Sequence, residues 1–418
     1  MNFFYSLSAT IKKYPRQYWI LLFGNLLATT GSSLVWPFLT IYLRQRLDIS
    51  LTTVTLLLSL NSLAGIATSF IAGAVSDKFG RKLIMLLNLF AGTVYYVLMT
   101  RADSILAYGI LMTAWGGFNN LFSVGSNAMI ADIVKSEDRT EAYAILRMFH
   151  NVGVAAGPAI GGFLVTESYE FAYYLAAIAF LVWGLIVVIT IRETLPERTT
   201  SKEHTAPDQD LKPAKSSIGF GPVLKDVDFM SFMVMFMINM MAAADMFNLL
   251  SAYTKENFGM SESHYGFIVT ANALMCILFQ YSVTRVTRKY RPLPVLMVGA
   301  LFYSVGVGSV ALGRSFTAFL ISMIVMSIGE LIMTPTAVAL VAKWAPVDMR
   351  GRYMSIYGLA WPIGSGVGPI LGSYFNDTVA PAAIWYSGMV LSFIAAAGFF
   401  VLALRSKQKE TARTAQVE

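Results

Sequence analysis

The chain has 418 residues, of which 56% are hydrophobic and only 13% charged, with a net charge of +7. Soluble domains carry roughly a quarter charged residues, so composition excludes an ordinary soluble enzyme or binding domain. The apolar residues come in runs of about twenty, the length with which a helix crosses a hydrocarbon core of about 30 Å; such runs must be helical because lipid satisfies no backbone polar group.

Lys12, Lys13 and Arg16 precede the first run, 18 to 43, which exceeds a signal-peptide core and is followed by no convincing cleavage site, so retention is expected. Further helices are expected at 51 to 76 and 82 to 101, and between them lies the tight basic turn Gly73-Ala-Val-Ser-Asp77-Lys78-Phe79-Gly80-Arg81-Lys82. The fourth, 104 to 134, holds Gly116-Gly117-Phe118-Asn119-Asn120 and ends in Asn127-Ala-Met-Ile-Ala-Asp132. The fifth, 141 to 166, carries Arg147, His150 and the run Gly153, Gly157-Pro158, Gly161-Gly162; the sixth covers 169 to 192. Glycines four residues apart let a neighbouring backbone approach closely, and the proline removes a donor and bends the helix. Packing alone and a conformational hinge both fit that pattern.

Residues 193 to 226 are polar, contain Pro196, Pro207 and Pro213, and read as a cytoplasmic linker between a first bundle (1–192) and a second (227–418, with a short tail). The second bundle is expected to hold helices at 228–254, 262–284, 293–312, 316–343, 351–375 and 383–404. It repeats the first: Arg139, Gly153, Gly157-Pro158 and Gly161 recur at matching offsets as Arg350, Gly364, Gly368-Pro369 and Gly372. Duplicated six-helix bundles place a transport site at their interface near the bilayer midplane.

On this map Lys78, Arg81, Lys82, Lys135, Arg139, the linker, Arg285 to Arg291, Lys343, Arg350, Arg352 and both termini share one face. The other face carries only Arg44, Arg46, Arg101, Lys255 and Arg314. The positive-inside rule makes the first face cytoplasmic, so the positive charge needs no nucleic acid to explain it. Cys276 is alone and permits no intrachain disulfide, and three histidines with one cysteine form no metal cluster.

The turn from Gly73 to Lys82, placed after the second of twelve helices, resembles the signature loop of the major facilitator superfamily at Gly73, Asp77, Gly80, Arg81 and Lys82; Val75, Ser76 and Lys78 depart conservatively. Gly153 to Gly162 resembles that superfamily's antiporter motif, which is associated with export. Asn127 to Asp132, and Gly329-Glu330 followed by Thr334-Pro335, are similar to the lactococcal type of multidrug/proton antiporter, although the second segment also resembles proton-coupled peptide transporters. The arginine that many drug/proton antiporters carry in the fourth helix is replaced by Gly116 to Asn120, as in the asparagine-bearing lactococcal type. The resemblance implies an all-α polytopic membrane protein with twelve transmembrane helices in two pseudo-symmetric six-helix bundles. It also implies a charge network of Asp77, Arg81 and Asp132 that closes the cytoplasmic side, against which stands a static helix-loop anchor.

Charges inside a bilayer cost at least about 2.5 kcal/mol at mid-helix and should face a cavity or partner. Glu330, near the middle of the tenth helix, is the candidate proton-coupling carboxylate, with a structural glutamate bonded across helices as the other reading. Asp245, in the seventh helix, would take a proton, pair with a cationic solute, or sit in a wet vestibule. Arg147 would pair with an acid or reach toward the interface, and His150 would shuttle protons or pack. Met230, Met233, Met235, Met237, Met240, Met241 and Met246 crowd the seventh helix; thioethers suit an adaptable cavity or face lipid equally well. Asn25, Trp36, Asn119, Asn120, Met241, Met246, Asn248 and Trp361 are the cavity candidates.

The expectation is a proton-coupled exporter of amphipathic, often cationic small molecules, monomeric, in the cytoplasmic (inner) membrane with both termini inside. Its partners would be solute, protons and lipid, with no cofactor, metal or nucleic acid. Rival readings are a transporter of a lipid, peptide, sugar or other metabolite, and a non-transporting sensor. The polar loops hold no nucleotide-binding loop or nucleophile-base pair, so an enzyme is not expected.

Overall fold

A computed structural model describes residues 13–195, 220–346 and 349–414. Lys12, most of the expected linker (196–219) and the end of the tail lie outside them. Every regular element among the described residues is helical. α1 (Arg16–Leu47), α2 (Leu51–Phe79), α3 (Arg81–Met99), α4 (Ile105–Asn119 and Leu121–Ile133), α5 (Arg139–Glu167) and α6 (Tyr169–Thr190) precede the linker. After it come α7 (Val227–Asn248 and Leu250–Phe258), α8 (Glu262–Thr287), α9 (Pro292–Ser309), α10 (Phe316–Trp344), α11 (Arg350–Gly358 and Ala360–Thr378) and α12 (Ala383–Thr414).

Ten of these twelve are long and apolar enough to cross a membrane. α4 and α11 are not by that measure: α4 breaks at Asn120 into two short pieces, and α11 breaks at Leu359 and leaves Ala360–Thr378, long enough but diluted by Gly, Ser, Pro, Asn and Asp. Gly116, Gly117, Asn119 and Asn120 are poor helix formers standing together, and the break falls among them. α1 tightens to a single 3₁₀ turn at Trp36–Phe38, where Pro37 brings no N–H to the helical ladder. α12 continues well past the expected end at 404, since Ala403 to Thr414 is rich in Lys, Arg, Glu and Ala, which favour helix in water. The linker's edges also carry structure: Gly221–Leu224 forms a helical turn, and its Val223 is fully buried.

Alternating helices place the described chain ends at Lys13 and Thr414, the α2–α3 and α4–α5 turns and the described edges of the linker on one side, here the terminal side. The α1–α2, α5–α6, α7–α8 and α11–α12 connections lie on the other, the loop side. Within the first bundle α1 packs on α5 and α6, α2 on α4, and α3 on α6; within the second α7 packs on α11 and α12, and α9 on α10 and α12. The bundles meet along α2 with α11 and α5 with α8.

The repeated glycines do the same job in each bundle. Gly153 lies against Thr29, Gly157 against Ser33 and Gly161 against the Leu34 carbonyl, all on α1. Gly364 lies on Met240, Gly368 on the Met241 backbone and Gly372 beside Leu249 and Asp245, all on α7. A β-carbon on Gly161 or Gly368 would collide with a neighbouring main-chain carbonyl, so these helices touch backbone to backbone. Gly162 faces elsewhere, across the bundle interface onto Glu262 and Ser263, where Gly266 also meets the Pro158 carbonyl.

Candidate functional site

A cavity of about 520 Å³ opens between the bundles, within the range of small-molecule sites. Asn25, Trp36, Asn119, Asn120, Asn248 and Trp361 all line it. Met241 and Met246 do not: the Met241 backbone is covered by Gly368, and Met246 is fully buried. Sequence reasoning missed much of the wall, including Asn61, Asn88, Tyr95, Tyr96, Trp115, Tyr173 and Phe180; those residues read in sequence as ordinary helix interior, and only the fold turns them to one space. His150 also lines the cavity, with Nδ1 3.2 Å from the Thr29 hydroxyl.

The cavity is shut on the loop side by bonds between bundles. Arg44 on α1 holds Glu256 on α7 with Nε–Oε1 at 2.7 Å and Nη2–Oε2 at 2.8 Å. Asp377 accepts from the Thr52 amide (2.9 Å) and hydroxyl (2.7 Å), and Tyr169 donates to Glu262 at 2.8 Å while Lys255 grips the same carboxylate at 2.7 Å. Deeper, Thr40 donates to the Asn248 carbonyl at 2.6 Å, Thr55 meets Ser373 at 2.7 Å, and Ser59 donates to the Gly366 carbonyl. Two of the few basic residues on the sparse face, Arg44 and Lys255, thus take part in these contacts, Arg44 across the bundles and Lys255 by holding Glu262 within the second.

The terminal side is open. Past Ser62, which approaches Gly366, no hydrogen bond or ion pair joins α2 to α11 among the described residues, and Gly73, Gly351 and Gly358 face open space. α5 and α8 part beyond the bond from the Thr270 hydroxyl to the Ala155 carbonyl at 2.9 Å, and Met148 and Leu278 below it are exposed.

The signature turn sits on this open side. Gly80 has φ +102°, a left-handed conformation suited to glycine, and a β-carbon there would strike the Glu193 carboxylate. Glu193, just past α6, accepts the main-chain N–H groups of Arg81 (3.1 Å), Lys82 (3.0 Å), Thr194 (2.8 Å) and Leu195 (3.0 Å). Partial burial disfavours its charge, but these four donors outweigh that and hold the carboxyl below its ordinary value. Arg81 pairs with Asp77 at 2.9 Å and with Asp132 at 3.4 Å; Asp132 accepts from the Thr194 hydroxyl at 2.8 Å, and Lys82 Nζ donates to the Val188 carbonyl at 2.9 Å. The network therefore exists, but every member belongs to the first bundle and it is intact while this side stands open. The expectation that it closes the cytoplasmic side is corrected for this state: it clasps α2, α3, α4 and the end of α6 together.

Glu330 lies between α10 and α8, where it accepts from Asn272 Nδ2 at 2.8 Å; the same amide donates to Ser327 at 2.9 Å. No lysine or arginine lies within 4 Å of it among the described residues, although the Arg147 charge on α5 acts on it from farther off, and it stands outside the cavity lining. Asp245 is 1% exposed, neither oxygen has a hydrogen-bond partner, and Gly372 and Gly388 surround it. It is neither in a wet vestibule nor at the cavity; it sits in the packing of α7, α11 and α12.

This is the architecture of a transporter: paired bundles, a central cavity, one side bonded shut and the other apart. The Major Facilitator Superfamily profile matches residues 21–261 and 235–418, and the chain belongs to that superfamily. It is 25% identical to the Na(+), Li(+), K(+)/H(+) antiporter of Planococcus maritimus, over 94% of this chain and 95% of that one. It is 24% identical to Multidrug resistance protein 1 of Bacillus subtilis, over 89% and 93%. In fold it is similar to the nucleoside transporter NupG, with TM-score 0.77 and 13% identity over 93% of this chain and 100% of that one. The protein is a multi-span membrane transporter and not an enzyme.

Proposed function

We propose that this transporter exports amphipathic small molecules from the cytoplasm in exchange for protons. The observation that supports this most is Glu330, a carboxylate within a membrane-spanning helix whose one hydrogen-bond partner is the neutral Asn272 amide. A charge so placed is costly unless it serves transport, and a proton removes the charge. The names of the two relatives described above, one a cation/H(+) antiporter and one a multidrug resistance protein, favour the same class.

The basic residues gather on the terminal side, so by the positive-inside rule that side is cytoplasmic and the membrane is the cell's inner one. The state described here is then inward-open, and solute enters the cavity from the cytoplasm. Export requires the loop-side bonds to part while the terminal side closes. Coupling requires only that proton and solute favour different states. A proton arriving from outside neutralises Glu330 and favours return to the inward-open state, where it is released. Asp245 acts through the α7–α11 packing and not by touching solute. The transporter functions as a monomer, since cavity and carboxylates lie within one chain.

The expected preference for cations would need an acid in the cavity wall, and the described lining has none; the proposal therefore leaves that preference out. The test is purified protein in liposomes with a pH-sensitive dye under an imposed proton gradient. Solute-driven proton movement in wild type, absent in Glu330→Gln, supports the reading; no movement with any of a broad panel of neutral and cationic amphiphiles from folded protein overturns it.

A further inference from the structure

Aromatic rings and amides make up much of the cavity wall, beside serine and threonine hydroxyls and the His150 ring. On one side α3, α4 and α6 form a continuous aromatic surface: Tyr95 stacks on Trp115 with centroids 5.0 Å apart and planes 11° apart, Trp115 meets Phe180 at 5.8 Å, and Phe180 meets Tyr96 at 5.2 Å. Facing it, Trp36 of α1 and Trp361 of α11 flank Phe247 at 6.2 and 6.0 Å, and both indoles are about two-fifths exposed. A flat ring fits between such faces by offset or edge-to-face contact.

Amides supply the anchored acceptors. Asn61 Nδ2 donates to the Met112 carbonyl at 3.2 Å, Asn88 Nδ2 to the Phe118 and Asn119 carbonyls at 2.9 and 3.1 Å, and Asn248 Nδ2 to the Ala244 carbonyl at 2.9 Å. Each is anchored through its nitrogen, so its carbonyl oxygen is left as an acceptor without a protein partner. The Asn119 side chain has no protein partner at either end. Among the described residues no Asp, Glu, Lys or Arg lines the cavity, and His150 is its one titratable nitrogen base. A cation entering would surrender hydration for ring faces and neutral amide oxygens with no carboxylate to balance its charge, and an anion would meet those same acceptor oxygens. An uncharged molecule loses least, and N–H or O–H groups on its edge satisfy the free oxygens.

We propose that the cavity binds an uncharged aromatic solute bearing hydrogen-bond donors on its edge, held between the Tyr95–Trp115 wall and the two facing tryptophans and oriented by Asn61, Asn88 and Asn248. This rests on the cavity being the solute site of the exporter proposed above, and it narrows the amphipathic class to neutral members.

The test is titration of full-length purified protein, followed by quenching of its tryptophan fluorescence, with chloramphenicol, a neutral nitroaryl amide diol, and tetraphenylphosphonium, a cation of comparable bulk. Chloramphenicol is expected to bind saturably and roughly tenfold more tightly than the cation, a difference Tyr95→Ala abolishes and Asn61→Asp reverses. Size-exclusion profiles report folding, and if a variant does not fold, the wild-type ratio still decides. Equal affinity, or preference for the cation, overturns the proposal. Failure here is separable from failure of proton exchange: cations alone driving Glu330-dependent proton movement would sink this inference and leave the exporter standing, whereas saturable chloramphenicol binding with no proton movement would do the reverse.

Discussion

The Arg44 guanidinium holds the Glu256 carboxylate through two parallel bonds of 2.7 and 2.8 Å, joining α1 of one bundle to the outer segment of α7 in the other. The pair is partly exposed, with side chains 27% and 36% accessible, so its removal is expected to cost about 1 kcal/mol. Between two states close in energy that is about a fivefold shift in population. Arg44→Glu should widen the loop-side distance distribution between spin labels on the α1–α2 and α7–α8 turns, and adding Glu256→Arg should narrow it again. A distribution unchanged in the single variant would mean the pair is not a gate.

Backbone contact between α1 and α5 makes a sharper claim about stability. Gly161→Ala forces a methyl into the Leu34 carbonyl and should cost about 1–3 kcal/mol, visible as a lower melting temperature in detergent. Gly73→Ala, inside α2, meets nothing within 4 Å and should leave the melting temperature unchanged or raise it, because Ala favours helix by about 0.5–1 kcal/mol over Gly. Equal effects would contradict the packing described here.

Glu193 gives a pH signature outside the membrane. Its folded carboxyl titrates below the ordinary value, so the clasp on the signature turn is complete above the usual carboxylate range and is lost as pH falls through that lowered value. Hydrogen-exchange protection of the Arg81 and Lys82 amides, corrected for intrinsic rate, should fall with acidification in wild type. In Glu193→Ala it should be low throughout.

A neutral solute exchanged for one proton moves one net charge per cycle. An interior-negative potential of about 100 mV, set in liposomes with valinomycin at equal pH, should therefore drive chloramphenicol outward by up to about 50-fold. Efflux indifferent to the potential would contradict the exchange of a neutral molecule for a proton.

Much of this molecule is legible in its residues, and the exceptions share a cause. Hydropathy and the repeated glycines report on single helices and their faces, so the twelve segments and a close backbone approach at the α5 and α11 glycines could be anticipated, but not that α1 and α7 make it. The breaks at Asn120 and Leu359 depend on what surrounds the helices, and only the Gly-Gly-Phe-Asn-Asn run hints at one of them. Pairings across the bundles leave no local trace: Arg44 and Glu256 are 212 residues apart, Thr52 and Asp377 325. Glu193 looked like the first residue of a linker because its partners stand 111 and 112 residues away. The methionine argument failed at Met241 and Met246 because an abundance of thioethers says nothing about which face of α7 the α11 glycines cover.

The central claim is that a proton on Glu330 biases which side is open. Paired spin labels on the terminal side, on the signature turn and the α10–α11 connection, read that bias directly in wild type and Glu330→Gln as pH is varied. The wild type should shift toward the terminal-side-open distance as pH falls, and the variant, permanently uncharged at 330, should hold that distance at every pH. The same pH-dependent shift in both proteins would show that the proton acts elsewhere and would contradict the account.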